Sequence, residues 1–211
     1  MNATMHTFID LSLPMTDLMP VYPGDELPHL LKVNDFMRDG FNSFHLSASM
    51  HTGTHIDGPM HLTQSEKFLN EIPLEQCIGR GCILNAVGKN NILLTTEYES
   101  IIQPQSIVLL YTGMSRLFGS KEYFTDYPTI SRELAQLFVK QHVKMVCIDS
   151  PSPDRRPFEI HKLLLENNVL IAENLTNLDK LMSANNFEVI ALPLKIHADS
   201  SPARIIARIR E

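Results

Sequence analysis

Three histidines and an aspartate fall within eleven residues of the sequence. His51, His55, Asp57 and His61 occupy positions i, i+4, i+6 and i+10 of the segment HTGTHIDGPMH. Imidazole nitrogens and carboxylate oxygens are ligands that zinc and other divalent transition metals accept. Any one of these histidines alone would be expected to cap a turn or bond to the backbone. The density of all four side chains favours a metal site.

The glycines and the proline of this segment restrict the conformation that could gather these ligands. Gly53, Gly58 and Pro59 make a helix improbable, although the first two histidines would share a face of one. A fully extended strand would spread ten residues over roughly 33 Å, whereas ligand atoms lie only about 2.0–2.2 Å from an ion. The segment is therefore predicted to turn back on itself as a metal-binding loop.

Further ligands of a hydrolytic site would have to come from elsewhere in the chain. His161 lies near the start of a predicted helix, and Glu173 lies at the end of a predicted strand. A carboxylate at the carboxyl end of a strand in an α/β layer is a usual place for a functional group. Taken alone, Glu173 would be a solvated loop acid and His161 an ordinary helix residue. Their own positions therefore make both residues candidates and no more.

The elements that must position these residues change in character along the chain. The N-terminal half is typical of strands and turns, and the C-terminal half repeats a helix followed by a strand. Strands are predicted at 8–13, 29–33, 43–50, 143–148, 169–172, 187–192 and 204–209. Helices are predicted at 131–142, at 157–165 and around the apolar stripe 175–182. This order predicts a mixed, β-rich α/β fold with its helices in the C-terminal half.

Length, composition and charge bound the class of protein. The 211 residues, 44% of them hydrophobic, suffice for one domain with a large core, and no segment has the composition of a linker. We therefore predict one domain over residues 1–211. Eighteen basic against twenty-four acidic residues give a net charge of −6 without a basic cluster, which disfavours nucleic acid and anionic membranes as partners. No apolar run approaches the roughly 20 residues of a membrane span.

The cysteines and the N-terminus indicate a compartment. Cys77, Cys82 and Cys147 are odd in number, and their spacing is typical of neither a zinc knuckle nor a redox pair. The first twenty residues lack Lys, Arg and a continuous apolar core, which argues against a secretory signal peptide. We therefore expect a cytoplasmic protein, with Cys147 buried in a strand.

The histidine-rich segment resembles the HxGTHxDxPxH signature of the cyclase family of metal-dependent hydrolases, which includes bacterial kynurenine formamidase and isatin hydrolase. Other blocks resemble the family, in family order, over nearly the whole chain. They are PVYPGD at 20–25, YTG at 111–113, DSPSPD at 149–154, His161, ENL at 173–175, LPLK at 192–195 and SPAR at 201–204. The resemblance implies the swivelling β/β/α fold of that family and a homodimer or larger oligomer.

Carried over by position, the resemblance implies two divalent ions per chain, zinc or manganese. His51, His55 and Asp57 would bind one ion. Asp57 and Glu173 would bridge to a second ion, which His161 also binds. A pair of such ions can activate water and polarise a carbonyl, as opening an unactivated amide requires.

The resemblance also implies roles for two residues that are not ligands. His61 would be the catalytic acid–base, because histidine titrates near neutral pH and can move a proton from water to a leaving nitrogen. The alternative is that His61 is a further ligand of the same ion. Tyr22 occupies the position at which the formamidases have a tryptophan that stacks on the substrate, so we predict that it binds substrate. The alternative is that Tyr22 only packs the turn at 20–23.

The implied reaction is hydrolysis of a C–N bond in a small aryl amide or formamide. Kynurenine formamidase activity, which converts N-formylkynurenine to kynurenine and formate, is its most specific version. A cyclic-amide hydrolase of the isatin type is the alternative enzyme. A metal-dependent small-molecule binding protein that has lost catalysis is the alternative outside enzymes, and the retention of His61 argues against it. Asp149 and Asp154 either cap a turn or contact substrate, and Ser201 and Arg204 are expected to be structural or intersubunit residues.

Overall fold

Twelve strands form one eight-stranded mixed sheet and two small two-stranded sheets. The computed structural model describes residues 6–210, and every structural statement below concerns that range. The strands are β1 His6–Asp10, β2 His29–Asn34, β3 Ser43–Ser47, β4 His55–Asp57, β5 Ile78–Asn85, β6 Asn91–Ile92, β7 Ile107–Tyr111, β8 Thr129–Ile130, β9 Met145–Ile148, β10 Leu170–Glu173, β11 Phe187–Pro193 and β12 Ser200–Arg210.

Six short α-helices lie between the strands. They are α1 Phe36–Asp39, α2 Leu74–Cys77, α3 Thr96–Ile101, α4 Lys121–Thr125, α5 Arg132–Lys140 and α6 Glu159–Glu166. Single 3-10 turns occur at Leu69–Glu71, Met114–Leu117 and Leu178–Leu181. Of these helices, α5 is the longest at nine residues, and none within 6–210 has the length and apolarity that crossing a bilayer requires.

Seven strands of the large sheet close into a barrel-like ring. The order is β1-β12-β11-β5-β7-β9-β10-β4, and β4 also pairs with β12. β12 is eleven residues long, so its length accommodates β1, β11 and β4 as partners. β4, with only three residues, is therefore the strand that closes the ring between β10 and β12.

Side chains alternate between the interior of the ring and its outer face, as the pleat of a strand requires. On β7, Leu109 belongs to the interior cluster, whereas Val108 packs outside in a cluster that includes Phe138 of α5 and Leu164 of α6. A fully buried aliphatic or aromatic side chain contributes about 1.5–3 kcal/mol. The sheet is therefore stabilised from both faces, with α5 and α6 covering the outer one.

The same alternation decides where β4 directs its ligands. Ile56 is fully buried in the interior cluster, so His55 and Asp57 point to the outer face of the ring. The prediction that this whole segment is a loop is wrong for these three residues, which form an extended strand. A strand suffices because residues at i and i+2 share a face. The turn falls before it, at Gly53, where φ is +64°.

The predicted mixed, β-rich α/β fold is confirmed, and several elements differ from the prediction. The predicted helix around 175–182 is a single 3-10 turn, because Asn174 and Asn177 have positive φ and Leu175 forms a β-bridge with Ser12. Helices α1–α4 lie before residue 131, so only the two longest helices follow the prediction. Residues 1–5 and 211 lie outside the described range, and the extent of the domain over 1–211 stays a prediction.

Candidate metal centre

Four segments bring the five predicted ligands together. His51 lies in the turn before β4, His55 and Asp57 lie on β4, Glu173 ends β10, and His161 lies on α6. The antiparallel pairing of β10 with β4 sets Glu173 directly opposite His55. Four of these residues are buried, with exposed fractions of 1% for His55 and Asp57, 3% for His161 and 6% for Glu173. Ionisable groups this buried require partners or a bound cation.

The two oxygens of Asp57 face different neighbours. Oδ1 lies 2.9 Å from His51 Nδ1 and 3.4 Å from His55 Nε2, whereas Oδ2 lies 3.8 Å from His161 Nε2. Glu173 is divided in the same way, because its Oε2 lies 3.5 Å from His55 Nε2 and its Oε1 lies 3.1 Å from His161 Nε2. Each carboxylate thus presents one oxygen to His55 and the other to His161.

Two buried atoms at the centre of this cluster lack a hydrogen-bond partner among the described residues. They are His55 Nε2 and Asp57 Oδ2. His55 Nδ1 donates a hydrogen bond of 2.9 Å to the carbonyl oxygen of Gly53, which leaves Nε2 as the ring nitrogen directed at the carboxylates. A neutral imidazole would aim a lone pair at those oxygens, so a cation is needed between them. The donor set therefore fits divalent metal ions.

His161 is oriented by Asp154. Its Nδ1 lies 2.6 Å from Asp154 Oδ1, so its Nε2 is the nitrogen that faces Asp57 and Glu173. The other oxygen of Asp154 accepts hydrogen bonds from the backbone N–H groups of Ile160 (2.6 Å) and His161 (3.3 Å) at the start of α6. Capping is thus the alternative that the structure supports for Asp154. A carboxylate behind a ligating imidazole fixes its tautomer and raises its basicity.

Asp199 is a residue of the site that the sequence analysis missed. Its Oδ2 lies 3.1 Å from His51 Nε2 and 3.1 Å from His61 Nδ1, so one oxygen holds both rings. Its backbone oxygen accepts a hydrogen bond of 2.9 Å from the N–H of Gly58. A Cβ at position 58 would lie 2.7 Å from that oxygen, so only glycine permits this approach. The segment HADSSP at 197–202 resembles an ordinary turn, and no local signal marks it.

The surrounding charges shift the pKa values of the cluster. Burial alone would lower the pKa of His51, but hydrogen bonds to Asp199 and Asp57 outweigh it and raise that pKa to about 10. The pKa of His161 also rises to about 10, because Asp154 and Glu173 outweigh its burial. These carboxylates therefore stabilise positive charge within the cluster. A divalent ion would supply that charge in place of protons.

His61 reaches the ligand cluster from its exposed side. His51, Asp57 and His61 each offer a ligand atom, and these atoms lie within 4.8 Å of one another. The side chain of His61 is 25% exposed, and it lines the cavity above the cluster. Nδ1 of His61 is engaged by Asp199, so Nε2 is its available nitrogen. His61 therefore stands between the ligands and the space a substrate would occupy.

The cavity has a volume of about 340 Å³, and four Tyr and Phe side chains contribute to its wall. Tyr22, Phe118, Phe124 and Phe158 belong to its lining, together with His55, His161 and Glu173. The Tyr22 hydroxyl lies 3.3 Å from that of Tyr127, and its ring meets Phe124 edge to face at 6.5 Å. Tyr22 therefore contributes to the cavity wall as well as to the turn that contains it.

The other residues with open roles have partners within the chain. Asp149 accepts hydrogen bonds from the N–H and hydroxyl of Thr112 and from the N–H of Gly113, at 2.7, 2.6 and 2.9 Å, which is turn capping. Arg204 pairs with Asp10 at 2.8 Å across β12 and β1. Ser201 Oγ accepts a hydrogen bond from a backbone N–H. These contacts are structural.

The fold and the site together define a class of protein in which a barrel-like α/β sheet holds buried imidazoles and carboxylates below a cavity, in an arrangement that could hold metal ions. The chain belongs to the cyclase family. The model of that family, described as putative cyclase, matches residues 9–155. The family resemblance of the sequence is thus confirmed.

Relatives and solved structures agree with this membership. Uncharacterized protein MJ0783 of Methanocaldococcus jannaschii is 35% identical over 199 residues, which cover 93% of this chain and 97% of that protein. Kynurenine formamidase of Bacillus cytotoxicus is 28% identical over 207 residues, with coverages of 95% and 97%. Isatin hydrolase A from Labrenzia aggregata, bound to benzyl benzoate, superposes with a TM-score of 0.86 at 22% identity, covering 98% of this chain and 94% of that chain.

A further structural match is the predicted metal-dependent hydrolase from Bacillus stearothermophilus. It superposes with a TM-score of 0.79 at 23% identity, covering 98% of this chain and 100% of that chain. At this identity the two structural matches show a common fold.

Proposed function

We propose that the protein is a binuclear hydrolase that uses two zinc or manganese ions to cleave the C–N bond of a small aryl amide or formamide. The observation that carries this proposal is the division of Asp57 and Glu173, each of which offers one oxygen to His55 and the other to His161. Two carboxylates arranged in this way suit a pair of ions, because each can bridge them.

In the proposed mechanism, His51, His55 and Asp57 would hold one ion, and Asp57, Glu173 and His161 the other. When bound, such ions lower the pKa of a water molecule and polarise an amide carbonyl. His61 accepts a proton from the attacking water at Nε2 and returns it to the nitrogen that leaves as the C–N bond breaks.

Asp199 supports both parts of this mechanism. By accepting hydrogen bonds from His51 Nε2 and His61 Nδ1, it leaves His51 Nδ1 for the ion and His61 Nε2 for the proton. This is the part that an orienting carboxylate plays behind a catalytic imidazole.

We favour a kynurenine formamidase-like activity, with N-formylkynurenine as the substrate that yields kynurenine and formate. The relative from Bacillus cytotoxicus supports this choice. A cyclic-amide hydrolase of the isatin type is the second candidate, supported by the fold shared with isatin hydrolase A. A binding protein without catalysis would have no need of His61 above a complete ligand set.

A direct assay tests the proposal. Protein reconstituted with zinc or with manganese, its metal content measured by elemental analysis, would be offered N-formylkynurenine, a formanilide and isatin. Hydrolysis that disappears on chelation and returns with metal supports the proposal. A protein that carries metal and leaves all three substrates intact contradicts it, and binding without turnover would favour the non-catalytic alternative.

Replacement of Tyr22 should change substrate affinity and leave metal content almost unchanged. Tyr22→Ala is expected to raise KM for an aryl amide about 2- to 12-fold, because an aromatic stacking contact contributes about 0.5–1.5 kcal/mol. Tyr22→Trp should improve activity on N-formylkynurenine relative to smaller amides. Steady-state kinetics on the three substrates measure both effects.

Tyr22→Phe is the matched control, because it retains the ring and removes only the hydroxyl that lies near Tyr127. It should resemble the parent protein if stacking is what Tyr22 supplies. Unchanged KM in Tyr22→Ala for all three substrates would remove Tyr22 from the binding site.

We also propose a homodimer formed through the β2–β3 hairpin. The hairpin and the adjacent α1 expose large apolar side chains, with exposed fractions of 50% for Leu31, 62% for Phe36, 60% for Phe44 and 49% for Leu46. Phe44 and Leu46 lie on one face of the hairpin and Leu31 on the other, because Leu31 is paired with His45. Exposed apolar side chains at this density on a two-stranded hairpin are typical of an interface.

Phe44→Glu should therefore shift the protein from dimer to monomer, as measured by sedimentation. Leu74→Glu is the control, because Leu74 is 65% exposed on α2, outside this hairpin, and should leave the dimer intact. A parent protein that sediments as a monomer at micromolar concentration would contradict the proposal.

We further propose a cytoplasmic location. Cys77, Cys82 and Cys147 are buried and free. Burial raises the pKa of each thiol, so all three are poorly reactive. Free thiols accord with a reducing compartment.

A further inference from the structure

Two adjacent arginines follow Asp154 and have different surroundings. Arg155 donates to the carbonyl oxygens of Thr125 (3.0 Å) and Tyr127 (2.6 Å), and its guanidinium lies 4.2 Å from the centroid of the Tyr127 ring. Asp154 is bound to the start of α6. These contacts fix the chain immediately before Arg156.

Arg156, in contrast, lines the cavity and has no hydrogen bond or ion pair with any residue in the range 6–210. It is the one Lys or Arg among the described residues of that lining. Asp25 belongs to the same lining, but no ion pair within 4.0 Å joins the two. Arg156 is exposed at the cavity wall, and its guanidinium is thus free to bind a group of a substrate held there.

We propose that Arg156 binds a carboxylate group of the substrate. The planar guanidinium can donate two parallel hydrogen bonds to a carboxylate, which makes arginine the usual residue for recognising that group. Asp25 is the acidic residue of that lining outside the ligand cluster, so Arg156 would also offset the repulsion between Asp25 and an anionic substrate.

This inference rests on the proposed hydrolase function and specifies its substrate class. It selects amides that carry a carboxylate, as N-formylkynurenine does, over neutral amides such as formanilide and isatin. Arg156 would thus determine specificity, while the ligand cluster and His61 perform the reaction. Its loss should therefore affect anionic substrates and spare neutral ones.

A pair of formamides that differ by one charged group tests the inference. They are 4-(2-formamidophenyl)-4-oxobutanoate, which is anionic, and 2-formamidoacetophenone, which is neutral. In the metal-loaded enzyme, Arg156→Ala should lower kcat/KM for the anionic formamide about 10- to 100-fold, mainly by raising KM. Loss of hydrogen bonds to a charged group typically weakens binding by a factor of this size. The neutral formamide should keep its parent value.

Two further variants separate this effect from others. Arg132→Ala removes the same charge from the exposed start of α5, outside the cavity, and should leave both substrates unaffected. Asp25→Asn tests whether Arg156 acts through Asp25 instead of the substrate. An equal loss on both formamides in Arg156→Ala, no loss on either, or the same loss in Asp25→Asn would overturn the inference.

Calorimetric binding of the two amine products distinguishes failure of this inference from failure of the hydrolase proposal. 4-(2-aminophenyl)-4-oxobutanoate should bind the parent protein more tightly than 2-aminoacetophenone, and Arg156→Ala should abolish the difference. That result supports the role of Arg156 even if neither formamide is hydrolysed. Equal affinities in the parent protein would overturn it even if both formamides are hydrolysed.

Discussion

Asp57→Ala is expected to lose both metal ions and, with them, all measurable hydrolysis. The reason is that the two oxygens of Asp57 lie near histidines of both proposed ion sites, Oδ1 near His51 and His55 and Oδ2 near His161. Elemental analysis of the reconstituted variant should find close to none of the two equivalents that we expect in the parent protein.

His161→Ala is the informative comparison, because His161 belongs only to the proposed second site. This variant should lose chiefly one of the two ions. Asp57→Asn controls for shape, since it retains the volume of the side chain and removes the negative charge. Fewer than one equivalent in the parent protein, after reconstitution in excess zinc or manganese, would show that the binuclear assignment is wrong. An Asp57→Ala protein that keeps one ion would show that Asp57 does not serve both ion sites.

His61→Ala is expected to keep its metal and lose about 10²- to 10⁴-fold in kcat, which is the usual contribution of a general acid–base group. The structure gives His61 access to the cavity through Nε2 while Asp199 holds Nδ1. Metal content by elemental analysis and kcat by steady-state kinetics measure the two halves of this prediction.

The competing role predicts a different result for the same variant. Because His61 offers a nitrogen within 4.8 Å of ligand atoms of His51 and Asp57, a ligand at this position is geometrically accessible. If His61→Ala loses metal in proportion to activity, His61 is a ligand. Asp199→Asn adds a check, since a positioning role predicts lower kcat with an altered pH profile.

Much of the site could be predicted because its signal is local. His51, His55, Asp57 and His61 lie in one short segment, and the structure brings that segment together with His161 and Glu173. The places of these two residues on a predicted helix and strand make them candidates, and the family resemblance is what implies that they are ligands. The roles of these residues stay predictions. The fold class followed from the alternating helices and strands after residue 131 in the same way.

The parts that were missed depend on contacts between distant segments. Asp199 is 138 residues from His61, and nothing in its neighbourhood indicates that it will hold an imidazole. The closure of the ring is equally hidden, because β4 is three residues long and pairs with strands that begin more than a hundred residues later. Glycines around β4 suggested a loop, and only its pairing with β10 and β12 shows the strand.

The position of β4 at the closure of the barrel would link the supply of metal to the lifetime of the protein, if the proposed ions bind there. The strand has just three residues, yet it carries His55 and Asp57, while its neighbour β10 carries Glu173. Ions bound between these strands would stabilise the closed barrel. A ligand that binds only the closed state adds about 2.7 kcal/mol to the free energy of opening at a concentration 100 times its Kd. When metal is scarce these strands would separate first, exposing backbone to proteases. Proteolysis would then remove the metal-free protein selectively and spare the metal-loaded protein.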